Sequence, residues 1–210
     1  MTSAADALQN FDIEQSEQYG RAKCATFRKT SEEWGQFSNM AGGFPLVVNG
    51  VKILTSEALY QACRFPHLPE VQQEILRQAS PMAAKMKGKP HRRNSRPDFD
   101  ELRVVIMWWA LRVKLACNLP RFSQVLLASH DLPIVEDSHN DPFWGAKQSR
   151  EDAEMLVGQN VLGRLLVLLR DRIRRDGSEG FSCVELPAIP NFLLVGEPIG
   201  IVSENCRVRL

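Results

Sequence analysis

The chain has 210 residues, of which 44% are hydrophobic, and 26 Lys and Arg stand against 25 Asp and Glu. This is the composition of an ordinary globular protein, and it excludes a disordered chain, a collagen repeat and a disulfide scaffold. The formal charge of +1 argues against holding nucleic acid by bulk electrostatics alone.

Residues 1 to 22 are polar, acidic and without a hydrophobic run, and read as a mobile or loosely docked leader. They lack the basic start and apolar core of a signal peptide. Ala25 to Arg28 reads as a short strand. Phe44 to Leu54 reads as a hairpin, because Asn49-Gly50 between two β-branched runs signals a type I′ turn. Thr55 caps a helix through Arg64 that ends before Pro66, and on it Glu57, Tyr60, Gln61 and Arg64 form a polar stripe facing water or a pocket. Pro69 to Ala79 predicts a second helix, and Ser80-Pro81 opens a third.

Asp98, with Glu101 three residues on, has the pattern of a capping box at the start of the longest helix, which runs to Asn118. That helix is apolar nearly all round and is expected to be the pillar of a core. Arg121 to Ala128 continues as helix and Leu132 to Glu136 as strand. Asn160 to Arg175 is helical again, stopped by Gly177. Phe181 to Glu185, Phe192 to Val195 and Ile199 to Val202 are strand candidates. The expected organisation is a leader (1–22), one mainly α-helical α+β domain (23–177) with small hairpin elements, and a β-rich extension (178–210) packed on it.

The five cysteines (Cys24, Cys63, Cys117, Cys183, Cys206) are odd in number and never in CxxC spacing, which predicts reduced, mostly buried thiols. The longest apolar run, Val104 to Leu111, is far shorter than the roughly 20 residues of a membrane span. A cytoplasmic protein without membrane contact is expected. The histidines are dispersed and neither a P-loop nor a dinucleotide fingerprint is present, so no metal and no cofactor is expected.

Lys85 to Arg96, KMKGKPHRRNSR, holds six Lys and Arg and no acid. It lacks aromatics for base stacking, so it reads either as a solvated loop or as a contact to phosphates, with Lys87, Lys89, Arg92 and Arg93 the candidates for a nucleic-acid backbone. Asp137 to Gly145, DSHNDPFWG, sets an aromatic pair beside turn-forming residues.

Taken in order, FRKTSEEWGQFSNMAGGFPLVVNGVKILTSEALYQACRF, SPMAAKMKG, DFDELRVVIMWWALRVK, LPIVEDSHNDPFWG and GQNVLGRLLVLLR resemble the NADAR (YbiA-like) family from about Phe27 to Arg170. The resemblance implies a mainly α-helical fold with small β elements and cleavage of N-glycosidic bonds. Some members act on early riboflavin intermediates. Others remove ADP-ribose from guanine in DNA, among them antitoxins to an ADP-ribosyltransferase toxin. The form TSEALYQACRF and the basic run favour the guanine branch, with ADP-ribosylated DNA or ADP-ribose and a cognate toxin as partners. A riboflavin-pathway N-glycosidase and a non-catalytic ADP-ribose reader are the alternatives.

The resemblance further implies roles for particular residues. Glu57 matches the family's glutamate, where a carboxylate stabilises charge on the sugar or activates water. Asp141 is the second carboxylate. Lys29 is the amine for a Schiff base with an opened ribose, with Lys85 the runner-up. Trp144 stacks on a base, Ser38 and Asn39 hydrogen-bond the ligand beside Tyr60, and Arg28, Arg64 and Lys85 meet phosphates. Asn160, at a helix start, completes a diphosphate site. The family's WGxG appears here as Trp144-Gly145-Ala146-Lys147, so its second glycine is lost.

Overall fold

The Asn49-Gly50 turn forms as its dipeptide demands: both residues have positive φ (51° and 76°), and β3 (Leu46–Val48) pairs antiparallel with β4 (Val51–Ile53) around it. In this computed structural model, which describes residues 8–203, the strands before that hairpin are β1 (Glu17–Gly20) and β2 (Ala25–Phe27). After it come α1 (Ser56–Ala62), α2 (Pro69–Leu76), α3 (Pro81–Gly88), α4 (Phe99–Cys117) and α5 (Leu119–Ala128). Next are β5 (Ile134–Glu136), β6 (Lys147–Gln148), β7 (Met155–Gly158) and α6 (Val161–Asp176), and the chain closes with β8 (Cys183–Val184), β9 (Leu193–Leu194), β10 (Glu197–Pro198) and β11 (Val202–Ser203). This is an α+β fold.

These elements fall into two compact units, each assembled from separated stretches of chain. One comprises Asn39–Phe122 with the segment from Glu179 onward. The other comprises Asn10–Ser38 and Ser123–Ser178, the division falling within α5. The C-terminal segment from Glu179 belongs to the first of these units. Its strands β8 and β11 pair and pack on α4, where Phe192 meets Trp109 edge-on at 4.8 Å. Residues 204–210, including Cys206, lie outside the described residues, as do residues 1–7.

In the first unit α4 is the pillar expected of it. Ile106, Trp108, Trp109, Ala110, Leu111, Val113, Leu115 and Ala116 are all buried, and α1, β3 and β8 pack around it. Its start differs from the expected capping box. The Asp98 side chain makes no cap, because Arg96 holds both of its carboxylate oxygens. Thr55 and Ser80 do cap their helices, accepting from the amides of Ala58 and Ala83. Buried Gln72 joins three segments, donating to the carbonyls of Ala62 and Leu193 and accepting from the Val195 amide.

In the second unit β2 and β5 pair in parallel and α6 packs on β5. The part of the expected leader from Glu17 to Gly20 is instead strand β1, the edge of an antiparallel sheet ordered β1-β7-β6. Pairing to β7 takes up the main-chain groups on one side of it, and Tyr19 enters a small core with Val135, Ala146 and Leu156. The thiols are less buried than expected: of the four described, Cys63 is buried, Cys24 and Cys117 are half-buried and Cys183 is exposed.

Candidate active site

Helix α1 carries Glu57, Tyr60 and Gln61 of the polar stripe, all three buried, while Arg64 lies just past the helix and is half-buried. Glu57 is 7% exposed, Tyr60 4% and Gln61 5%. Residues four apart on a helix face each other, and the Gln61 amide donates to Glu57 Oε1 at 2.9 Å. Burial pushes the Tyr60 phenol above its ordinary range, and its ring leans on Phe99 with centroids 5.7 Å apart. The Arg64 guanidinium lies 3.7 Å from the centre of the same Phe99 ring, donates to Ser95 Oγ, and keeps its Nε buried without a hydrogen-bond partner. Burial draws its pKa down.

The first turn of α1 is anchored by Asn39. Its carbonyl accepts from the Glu57 amide at 3.1 Å, its Oδ1 accepts from Ser56 Oγ, and its Nδ2 points to the Met107 sulfur at 2.9 Å. These bonds tie the Asn39 side chain to the helix start and to α4. Lys85 is exposed on α3, as are Lys87, Lys89, Arg92 and Arg93, which extend into a 3-10 turn over Lys89–Asn94. Arg96 leaves this basic run. It is 5% exposed and clamped between Asp98 and the Pro190 carbonyl. Two surface cavities of this unit, of about 430 and 480 Å³, lie away from the stripe, one beside the Asn49-Gly50 turn and one beside Arg96 and Pro190.

The second unit holds the other candidates. Arg28 and Lys29 are exposed, and their main-chain amides both donate to Glu32 Oε2, which holds that carboxyl below its usual range. Ser38 is buried, at the end of a turn whose Trp34 and Phe37 rings stack with centroids 5.7 Å apart. Asp141 is exposed and shapes a turn, its Oδ1 accepting from the amides of Phe143 and Trp144. Trp144 is half-buried, edge-on to Phe143.

At the start of α6, where the diphosphate site is expected, the first main-chain donors are engaged within the protein. The amides of Val161 and Leu162 donate to the carbonyls of Phe143 and Trp144, and Asn160 is buried with its side chain bonded to the Glu136 amide and the Ile134 carbonyl. An anion there has no free donors from these groups. The missing second glycine is accommodated because Lys147 lies in the exposed strand β6. The glycine that matters is Gly145, whose added Cβ would meet the Glu136 carbonyl oxygen at 2.5 Å.

A profile of the NADAR domain matches residues 26–174. The chain belongs to the NADAR family. It is 33% identical over 147 residues to the N-glycosidase YbiA of Escherichia coli, covering 70% of this chain and 86% of that protein. A riboflavin biosynthesis protein of Vibrio vulnificus is 32% identical over 129 residues, which are 61% of this chain and 33% of that protein. The NMR structure of Escherichia coli YbiA superposes with a TM-score of 0.60 at 30% identity, covering 75% of this chain and 92% of that one.

Two features of this NADAR chain escaped the sequence reading. Gln61 stood in the stripe without a role, although its spacing of four from Glu57 was the available signal. The Arg96 clamp was legible in the Arg-Pro-Asp tripeptide that sets a guanidinium two residues before a carboxylate. Among the described residues, no group of three or more His, Cys, Asp or Glu is arranged to hold a metal ion, and no helix is long and apolar enough to cross a membrane.

Proposed function

We propose that this chain hydrolyses the N-glycosidic bond between ADP-ribose and guanine in DNA, with Glu57 as the carboxylate beside C1′, and that it serves as antitoxin to a DNA ADP-ribosyltransferase. Its similarity to curated N-glycosidases supports a glycosidase acting on N-glycosyl compounds. The observation that carries the reading is the buried Glu57, oriented by Gln61 on the helix that also presents Tyr60, with Arg64 just past its end. As the C1′–N bond breaks, positive charge builds on the sugar and a carboxylate in a low-dielectric setting stabilises it. Glu57 takes a proton from water as the water oxygen bonds to C1′, the electron pair of the broken bond passes to the guanine nitrogen, and the proton held by Glu57 passes to that nitrogen, which restores the carboxylate.

The exposed basic residues from Lys85 to Arg93 support a polyanionic substrate. Arg64, with an unsatisfied buried Nε over Phe99, is suited to a phosphate oxygen. Asp141 acts in this scheme by shaping the turn that presents Trp144. Lys29 is the proposed Schiff-base amine and Lys85 its runner-up. The similarity to a riboflavin biosynthesis protein favours a second reading, an N-glycosidase of ribosylaminopyrimidine phosphates.

An oligonucleotide carrying ADP-ribosyl-guanine separates these readings. The wild type is expected to release ADP-ribose and Glu57→Gln to lose about 100-fold or more of that rate. An adduct that persists with the wild type overturns the DNA reading, and turnover of ribosylaminopyrimidine phosphates alone selects the second. Tight ADP-ribose binding with no turnover of either makes the protein a reader. Borohydride added during turnover distinguishes the routes, since a trapped sugar on Lys29 or Lys85 marks an imine and its absence leaves water activated by Glu57.

A further inference from the structure

Glu57 is held at two points. Its main-chain amide is fixed to the Asn39 carbonyl, and one carboxylate oxygen, Oε1, is fixed to the Gln61 amide. Among the described residues Oε2 accepts no hydrogen bond. A glutamate in the first turn of a seven-residue helix has three side-chain torsions, and fixing one oxygen removes most of the freedom of the other.

The donor's chemistry suits the task. A primary amide is neutral, so it orients the carboxylate without pairing away its charge, whereas lysine at this position would form an ion pair and glutamate would repel. Gln61 is itself confined by burial. Gly88, at the end of α3, packs beside it, and a Cβ there would lie in ordinary van der Waals contact, 3.7 Å from Gln61 Oε1.

We infer that Gln61 is a positioning residue, one that fixes Glu57 Oε1 so that Oε2 is presented to C1′ or to the attacking water. This rests on the reading of Glu57 given above. The claim is about orientation, so loss of Gln61 lowers the rate of the chemical step more than the affinity for substrate.

The test uses Gln61→Met, which keeps the buried volume and removes the hydrogen bond, and Gln61→Leu as a second variant in case the first folds poorly. The substrate is the ADP-ribosyl-guanine oligonucleotide, or ribosylaminopyrimidine phosphate if the wild type cleaves that instead. The expected result is a kcat lower by about 10- to 100-fold with KM within about twofold and an intact thermal transition. The same substitution in a Glu57→Asp background is expected to have no further effect, because the shorter side chain no longer reaches Gln61. A structural role for Gln61 predicts equal losses in both backgrounds.

Wild-type kcat in Gln61→Met with Glu57→Gln inactive overturns the positioning role alone. Full activity in Glu57→Gln, or cleavage of neither substrate by the wild type, overturns the reading beneath it as well. If neither Gln61 variant folds, Gln61→Asn, whose amide is one methylene short, is judged by the same kcat and KM criterion.

Discussion

Lys114 sits in the last turn of α4 with 1% of its area exposed, its ammonium 4.2 Å from the centre of the Phe122 ring and 4.8 Å from that of Phe44. Arg121 also lies against Phe44, at 4.8 Å, and donates to the Gly43 carbonyl. Burial lowers the Lys114 pKa from 10.5 to about 7. The unfolded chain therefore binds a proton between pH 7 and 10.5 that the folded chain does not, so this residue makes stability rise with pH across that window. Below pH 7 the cost of the buried charge is fully present. Lys114→Met is expected to be more stable than the wild type at pH 6 by on the order of a few kcal/mol, with a gap that narrows from pH 7 to 10.5. Denaturant unfolding at several pH values measures it, and a gap independent of pH would show that Lys114 does not titrate in this window. Nothing in the surrounding sequence marks Lys114. Its burial is decided by the packing of Phe44 and Phe122 over it.

At the scale of elements, legibility followed whether the signal was local. The Asn49-Gly50 turn, the Thr55 and Ser80 caps and the stop at Gly177 are each dictated by a few adjacent residues, and each formed. The stripe of α1 was visible from periodicity, but its burial was not, because burial is decided by the elements that cover it. Strands β1 and β6 were missed for a different reason. EQYG and KQ have no hydrophobic run, and their pairing with β7 joins residues more than a hundred positions apart in one case. That the first amides of α6 are taken by carbonyls of the Phe143-Trp144 turn was equally hidden, because the turn is distant from the helix's own signals. Close packing there makes a prediction. A Cβ on Gly163 would stand 2.0 Å from the Ile134 carbonyl oxygen and 2.6 Å from the Asn160 side chain, atoms already tied to each other by a hydrogen bond. Gly163→Ala is expected to cost about 3 kcal/mol or more, since main chain and a bonded amide must both move. Gly180→Ala, where nothing lies within 4 Å, is expected to stay within about 0.5 kcal/mol. Equal melting temperatures for the two variants would mean that α6 can slide on β5 without penalty.

Across the whole molecule the charge is nearly balanced, yet Lys85, Lys87, Lys89, Arg92 and Arg93 are all exposed within nine residues of sequence. The nearest recorded acid contact, Lys87 to Glu74 at 3.8 Å, is an exposed pair of the kind that contributes little. A field of this shape acts locally: it attracts a phosphate backbone at one place while the acids elsewhere prevent general retention of polyanion. The consequence differs between the two substrates considered. Replacing Lys87, Lys89, Arg92 and Arg93 together by Gln is expected to raise KM for an ADP-ribosylated oligonucleotide and to flatten the slope of log KM against log salt. If all four contact phosphates, the flattening is by about 3 to 4, measured from about 50 to 200 mM salt. Turnover of a ribosylaminopyrimidine phosphate, which has no backbone to release counterions from, should change little in the same variant. A slope that stays as steep as that of the wild type would place the DNA backbone away from this basic turn, and equal losses on both substrates would assign these residues to the sugar phosphate itself.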